Sequence, residues 1–214
     1  NHSTETVLLK VVGDILLHID NGLVDLLALL DLSSAFDTVD HGILLERLNK
    51  SFCVSGVALS WLSSFLTSRS QKVWFGNLMS AEIPFLTGVL QGSVLGPPLF
   101  LVYVADLITL VESLNISIQM YADDILIYCS GSVSEVDAVS SKIVEGIEYI
   151  NSWLKSNRLV LNPNKTEMMW VGSRNLLSKI SLHEITVLDS VIKLSSVVKY
   201  LGVMLDNDLS FKSQ

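Results

Sequence analysis

Cysteine is scarce. Cys53 and Cys129 are the only two in 214 residues. Two thiols supply neither a disulfide framework nor a cysteine-based metal site, and a reducing compartment is the expectation. Basic charge is also short: 14 Lys and Arg face 22 Asp and Glu, a formal charge of −8. That excludes simple electrostatic attraction to nucleic acid or an acidic membrane, but not nucleic acid held through metal ions and local basic groups. Long unbroken apolar runs are missing as well. Residues 23–32 and 99–110 are interrupted by Asp25, Asp31 and Asp106, so buried elements are expected and no membrane partner. The first residues show no signal-peptide pattern, and an intracellular site, nucleus or cytoplasm, is expected. Internal repeats, low-complexity tracts and a clear linker are lacking. The chain starts without Met and stops after a strand-like segment and a turn, so a piece of a longer protein is expected.

What is present is apolar: half of all residues, enough for a core in one domain or two small ones. Ser3 or Thr4 is placed to cap a helix over 5–19, with Val7, Leu8, Val11, Val12, Ile15 and Leu16 as its apolar stripe. Residues 24–32 predict a buried strand ending near Asp31, although their Leu and Ala content leaves a helix open. A turn and short helix follow over 33–41, with Phe36, Asp37 and His41; Asp40 is placed to cap a helix over 42–49. His41 alone is more often structural than catalytic. Ser55 opens a helix through Leu66 in which Trp61 is expected to pack. Residues 70–76 and 81–87 form a hairpin around Gly76-Asn77, with Arg69 and Lys72 beside it as phosphate contacts or ordinary surface charge. A Gly-rich loop over 88–98, GVLQGSVLGPP, opens a helix over 98–113; it lacks the Gly-Lys-Ser/Thr ending of a phosphate-binding P-loop. Later come a helix over 134–157, a turn over 162–165, strands over 166–171, 180–182, 184–188 and 191–194, and a strand over 197–205. The order predicts an α+β fold, a largely antiparallel sheet with helices packed on one face.

The chain is organised around residues 117–130, SIQMYADDILIYCS. A β-rich run enters Tyr121-Ala122-Asp123-Asp124 and a second run leaves it, predicting strand, tight turn, strand. Adjacent carboxylates raise each other's pKa, and a divalent cation would remove that cost. Taken alone, Asp-Asp is more often a turn pair than a metal site.

Several blocks in order carry a resemblance: DLSSAFDTVDH, GVLQGSVLGPPLFLVYVADL, YADDILIY, LVLNPNKTEMMWVGS and VKYLGVMLD. Together they resemble the reverse transcriptases of non-LTR (LINE-type) retrotransposons, from HSTETVLLKV to YLGVMLDNDLSF. Leu90 stands where the family usually has Pro, Pro98 where Leu is commoner, and Ala105 where Asn is usual.

The resemblance implies a polymerase palm-like sheet with partial fingers: fingers-like stretches over 1–22 and 42–90, palm over 23–41 and 91–205. It implies an RNA-directed DNA polymerase using two Mg²⁺ ions, with Mn²⁺ as a substitute, and as partners an RNA template, a DNA primer and dNTP. Asp31 and Asp123 would hold the metals, with Asp124 as the adjoining acid. Phe36 would lie under the incoming sugar as a steric gate, Gln91 and Gly92 near the template and nascent base pair, and Lys165 near the triphosphate. Tyr200, Leu201 and Gly202 would support the primer end. Missing fingers and thumb segments, and an endonuclease domain in the parent, are further expectations. Two other readings compete. One is a retroelement remnant without catalysis that serves as a nucleic-acid or protein binding module, motivated by Leu90, Pro98 and the missing flanks. The other is an α+β domain with incidental acidic turns, in which Asp31 and Asp123 do not converge.

Overall fold

The computed structural model describes residues 3–211; His2, which opens the first block of the resemblance, lies outside them. In chain order, α1 (Thr4–Asp20) leads to β1 (Val24–Leu30), α2 (His41–Lys50) and α3 (Gly56–Leu66). Short strands β2 (Arg69–Gln71), β3 (Trp74–Phe75), β4 (Leu78–Met79) and β5 (Ile83–Phe85) precede α4 (Gly96–Glu112). Then come β6 (Ser117–Tyr121), β7 (Asp124–Gly131), α5 (Val136–Ser156) and β8 (Glu167–Val171). The chain ends with α6 (Arg174–Leu177), β9 (Glu184–Val187), β10 (Ser190–Lys193), β11 (Val197–Tyr200) and β12 (Val203–Asp206). These form two compact units: Asn1–Ser33 with Leu107–Leu154 and Leu161–Gln214, and Ser34–Asp106 with Lys155–Val160.

The first unit is built on an antiparallel sheet in the order β6-β7-β1-β8. Strand β1 has neighbours on both sides, so its Leu-rich run, which left a helix open, satisfies its backbone in two ladders. Alternation puts Leu27, Leu126, Tyr128, Met169 and Val171 into a cluster with Val7, Val11 and Ile15 of α1 and with Val198, Tyr200 and Leu205 of β11 and β12. The opposite face meets α5. A Cβ on Gly146 would stand 2.5 Å from Ile116 Cδ1 and 3.8 Å from Ile127 Cδ1, and one on Gly131 2.6 Å from Val139 Cγ2. Helices therefore cover both faces, correcting the expectation of one. The reason is in the strands: Leu26 and Leu27, on opposite faces of β1, are both wholly buried, and each apolar face needs its own cover.

Helix starts follow the expected chemistry. Ser3 accepts from Thr6 N at 3.3 Å, and Asp40 accepts from Ile43 N at 3.0 Å. Three expected elements differ. Residues 33–37 are turns without a short helix, because Ser34 takes φ 49°, where an L-residue cannot continue a right-handed helix. Residues 180–182 form no strand; Ile180 N instead donates to Leu177 O at 3.0 Å in the turn after α6. Residues 197–205 are a hairpin, because Leu201 (φ 49°) and Gly202 (φ 86°) turn the chain between β11 and β12.

In the second unit β2 pairs with β5 and, nearer the Gly76 turn, β3 with β4. His41 is structural: it is buried, and its Nε2 is 2.7 Å from Gly88 O. Tyr103 donates to Asn157 O at 2.5 Å, and Phe36 stacks on Phe100 with ring centroids 4.7 Å apart. Trp61, expected to pack, is 57% exposed; its ring stacks on Phe65 at the surface.

Candidate active site

The site begins with register. Pairing of β1 with β7 ends at Leu30 opposite Ile125; one further step sets Asp31 across from Asp124 on the same face. Strands β6 and β7 close at Tyr121 opposite Asp124, leaving Ala122 and Asp123 as a two-residue loop. Ala122 has φ 53°, the positive φ that two-residue hairpin loops require. Asp31, just past the end of β1, and Asp124, at the start of β7, are thus neighbours, with Asp123 in the turn beside them.

The next turn is tied to the end of β1. Asn162 N donates to Asp31 O at 2.9 Å, and Leu32 bridges Leu161. Pro163–Lys165 makes a 3-10 turn, with Lys165 N donating to Asn162 O at 3.1 Å. This brings Lys165 Nζ to 3.4 Å from Asp31 Oδ2. The contact is an ion pair only: Asp31 Oδ2 is buried and accepts no hydrogen bond. Asp124 lies at the surface. Protein packed beneath it, then the Asp123 and Asp31 carboxylates, raise its pKa from the ordinary value.

Asp31, Asp124 and Lys165 line a cleft of about 220 Å³ together with Tyr200 and Leu201. Glu167 and Lys199 line it too, and sequence reasoning missed both. A signal existed for each. Glu167 opens β8 opposite Leu29, two residues before Asp31 and on its face, and Lys199 precedes Tyr200 in Lys-Tyr-Leu-Gly. Gly202 sits at the hairpin turn with open space around it. The remaining expected residues belong to the second unit. There Val89 N donates to Phe36 O at 2.8 Å and Gln91 Nε2 to Asp37 Oδ1 at 3.3 Å, so Phe36 and the Gly-rich loop share one local framework. Gly92 holds φ 80°, which glycine adopts without a steric cost. Close approach occurs at Gly96, where a Cβ would lie 2.6 Å from Leu90 O.

Among the described residues no three His, Cys, Asp or Glu side chains stand ready to enclose a metal ion. Mg²⁺ does not demand that. It keeps several waters and takes one or two carboxylates plus substrate phosphates. Mutually repelling carboxylates, one with a buried oxygen lacking a hydrogen bond, fit such an ion. Among the described residues no helix is long and apolar enough to cross a membrane.

The reverse transcriptase (RNA-dependent DNA polymerase) family profile matches residues 3–205. The RNA-directed DNA polymerase from mobile element jockey of Drosophila melanogaster is 28% identical over 98% of this chain and 23% of its own length. The probable RNA-directed DNA polymerase from transposon BS of the same species is 32% identical over 85% of this chain and 20% of its own. The chain thus spans about a fifth of these relatives. Among solved structures, telomerase from Candida tropicalis in complex with a fragment of telomeric RNA superposes with a TM-score of 0.67 at 12% identity, over 100% of this chain and 34% of that one. Apo telomerase from the same species gives 0.62 at 14% identity, over 99% and 40%. This likeness is one of fold. With its family profile running nearly end to end, the chain belongs to the reverse transcriptase family, beside the polymerases of non-LTR retrotransposons.

Proposed function

We propose that the chain is the catalytic core of an RNA-directed DNA polymerase that transfers nucleotides from dNTP to a DNA primer paired with an RNA template. The observation that carries this reading is the β1–β7 register, which sets Asp31 beside Asp124 at the mouth of a cleft containing Lys165. Two divalent ions, Mg²⁺ or Mn²⁺, would supply the charge that activates a 3′-oxygen and stabilises the departing pyrophosphate. Asp31 and Asp123 are the ligands in this reading, with Asp124 adjoining. Lys165, already drawn to Asp31, offers its ammonium to the triphosphate. Phe36 acts as the steric gate, Gln91 and Gly92 face the template base pair, and Tyr200, Leu201 and Gly202 support the primer. A net charge of −8 agrees with a site whose sign is inverted by bound cations.

The test is primer extension on an RNA template, with the chain joined to the flanking segments of its own reading frame. Asp123→Asn and Asp31→Asn are expected to reduce Mg²⁺-dependent extension to background. Equal extension by the unsubstituted protein and Asp123→Asn overturns the reading.

A further inference from the structure

Tyr200 closes β11 and is 2% exposed. Its ring belongs to the core cluster that joins α1 to the sheet. The strand beneath it is held by pairing with Val203 across the tight Leu201–Gly202 turn, so the ring has a fixed seat. At its tip the hydroxyl is buried and makes no hydrogen bond. Phenylalanine would fill the same space without leaving a donor unused, so the packing does not explain the oxygen. Tyr200 also lines the cleft that holds Asp31, Asp124 and Lys165, and the charge of Asp124 is felt at its hydroxyl. Asp124, at the surface with protein packed beneath it, feels two like charges, and no side-chain hydrogen bond reaches it among the described residues. The residue with the unused donor and the repelled Asp124 carboxylate thus line one small cleft.

We infer that Tyr200 is a positioning residue for the divalent-ion site: its hydroxyl donates to the Asp124 carboxylate when that carboxylate turns toward an ion. A carboxylate near a metal is oriented by the hydrogen bond its other oxygen accepts, and such outer partners set affinity as well as geometry. The inference rests on the polymerase reading of the cleft. It differs from primer support because it acts without nucleic acid.

The experiment is Mn²⁺ binding to the 214-residue chain, followed by isothermal titration and by electron paramagnetic resonance of the free ion, with neither nucleic acid nor nucleotide present. Tyr200→Phe is expected to weaken Mn²⁺ about tenfold, while the ion-free variant melts no lower than the unsubstituted chain, because an idle donor has been removed. Tyr200→Met should reproduce the weaker binding. Unchanged Mn²⁺ affinity in Tyr200→Phe, with binding lost in Asp31→Asn, overturns the inference and leaves the polymerase reading standing. A lower ion-free melting temperature in Tyr200→Phe also overturns it, since the hydroxyl would then have a structural partner. If Asp31→Asn binds Mn²⁺ as the unsubstituted chain does, the reading of the cleft falls and the inference with it.

Discussion

Asp25 has no exposed surface and lies 2.9 Å from His18 Nδ1, while its Oδ2 has no hydrogen-bond partner. Burial pushes its pKa up to about 6; His18 pulls it down and Asp14 adds a push upward. Tyr128, which donates to Asp14 Oδ2 at 2.6 Å, completes the polar set around it. The sign follows from linkage. The folded state holds this proton more tightly than the unfolded state, so the contribution of Asp25 is fullest below about pH 4 and is lost as pH rises through about 6. Relative to Asp25→Asn, the chain should lose roughly 2 kcal/mol between pH 4 and pH 7. Urea unfolding of both proteins at the two pH values checks this; a constant difference would refute it. Gly88 is the other sensitive single residue. It has φ 94°, and a Cβ there would lie 2.8 Å from Asp37 O and 2.9 Å from Asp37 Cα. Backbone cannot step aside as a flexible side chain can, so Gly88→Ala should cost about 3 kcal/mol in urea unfolding. At this scale the turn at Ala122-Asp123 and the buried strand running to Asp31 were legible because their patterns are local. The burial of Asp25 and the idle hydroxyl of Tyr200 were not, since both are set by residues distant in the chain.

Elements were mostly legible where apolar spacing and a cap agreed, as in α1, α2 and α5. They were misread where one residue's backbone decided the outcome: Ser34 abolished a helix and Leu201 split a strand into β11 and β12. The covering of both sheet faces was obscured for another reason. The sequence shows that β1 is apolar throughout but not which helix takes which face. The β3–β4 hairpin is the most exposed apolar element. Trp74, Phe75 and Leu78 are 74%, 82% and 74% exposed, with Met79 at 56%. An apolar surface of this kind promotes association. The double substitution Trp74→Ser with Phe75→Ser, on an element remote in sequence from the core strands, should reduce light scattering by the concentrated chain and change its melting temperature little. Unaltered scattering would show that the hairpin is not the sticky surface.

For the whole molecule the charge of −8 and the gathered acids of the first unit point the same way. A ligand that binds only the folded form stabilises it by mass action, about 2.7 kcal/mol at a concentration one hundred times its dissociation constant. Mn²⁺ should therefore raise the melting temperature, EDTA should reverse the rise, and Asp31→Asn should abolish it; calorimetry with the ion series decides. The α+β class and the antiparallel pairing were legible from element order. The second unit joins stretches 34–106 and 155–160, which alternate along the chain with those of the first. Strand β1 is made early, yet both of its ladder partners, β7 and β8, are made much later. A ribosome building this chain finishes β1 more than ninety residues before it reaches β7, and any premature stop ahead of β7 releases a polypeptide whose β1 has neither ladder partner.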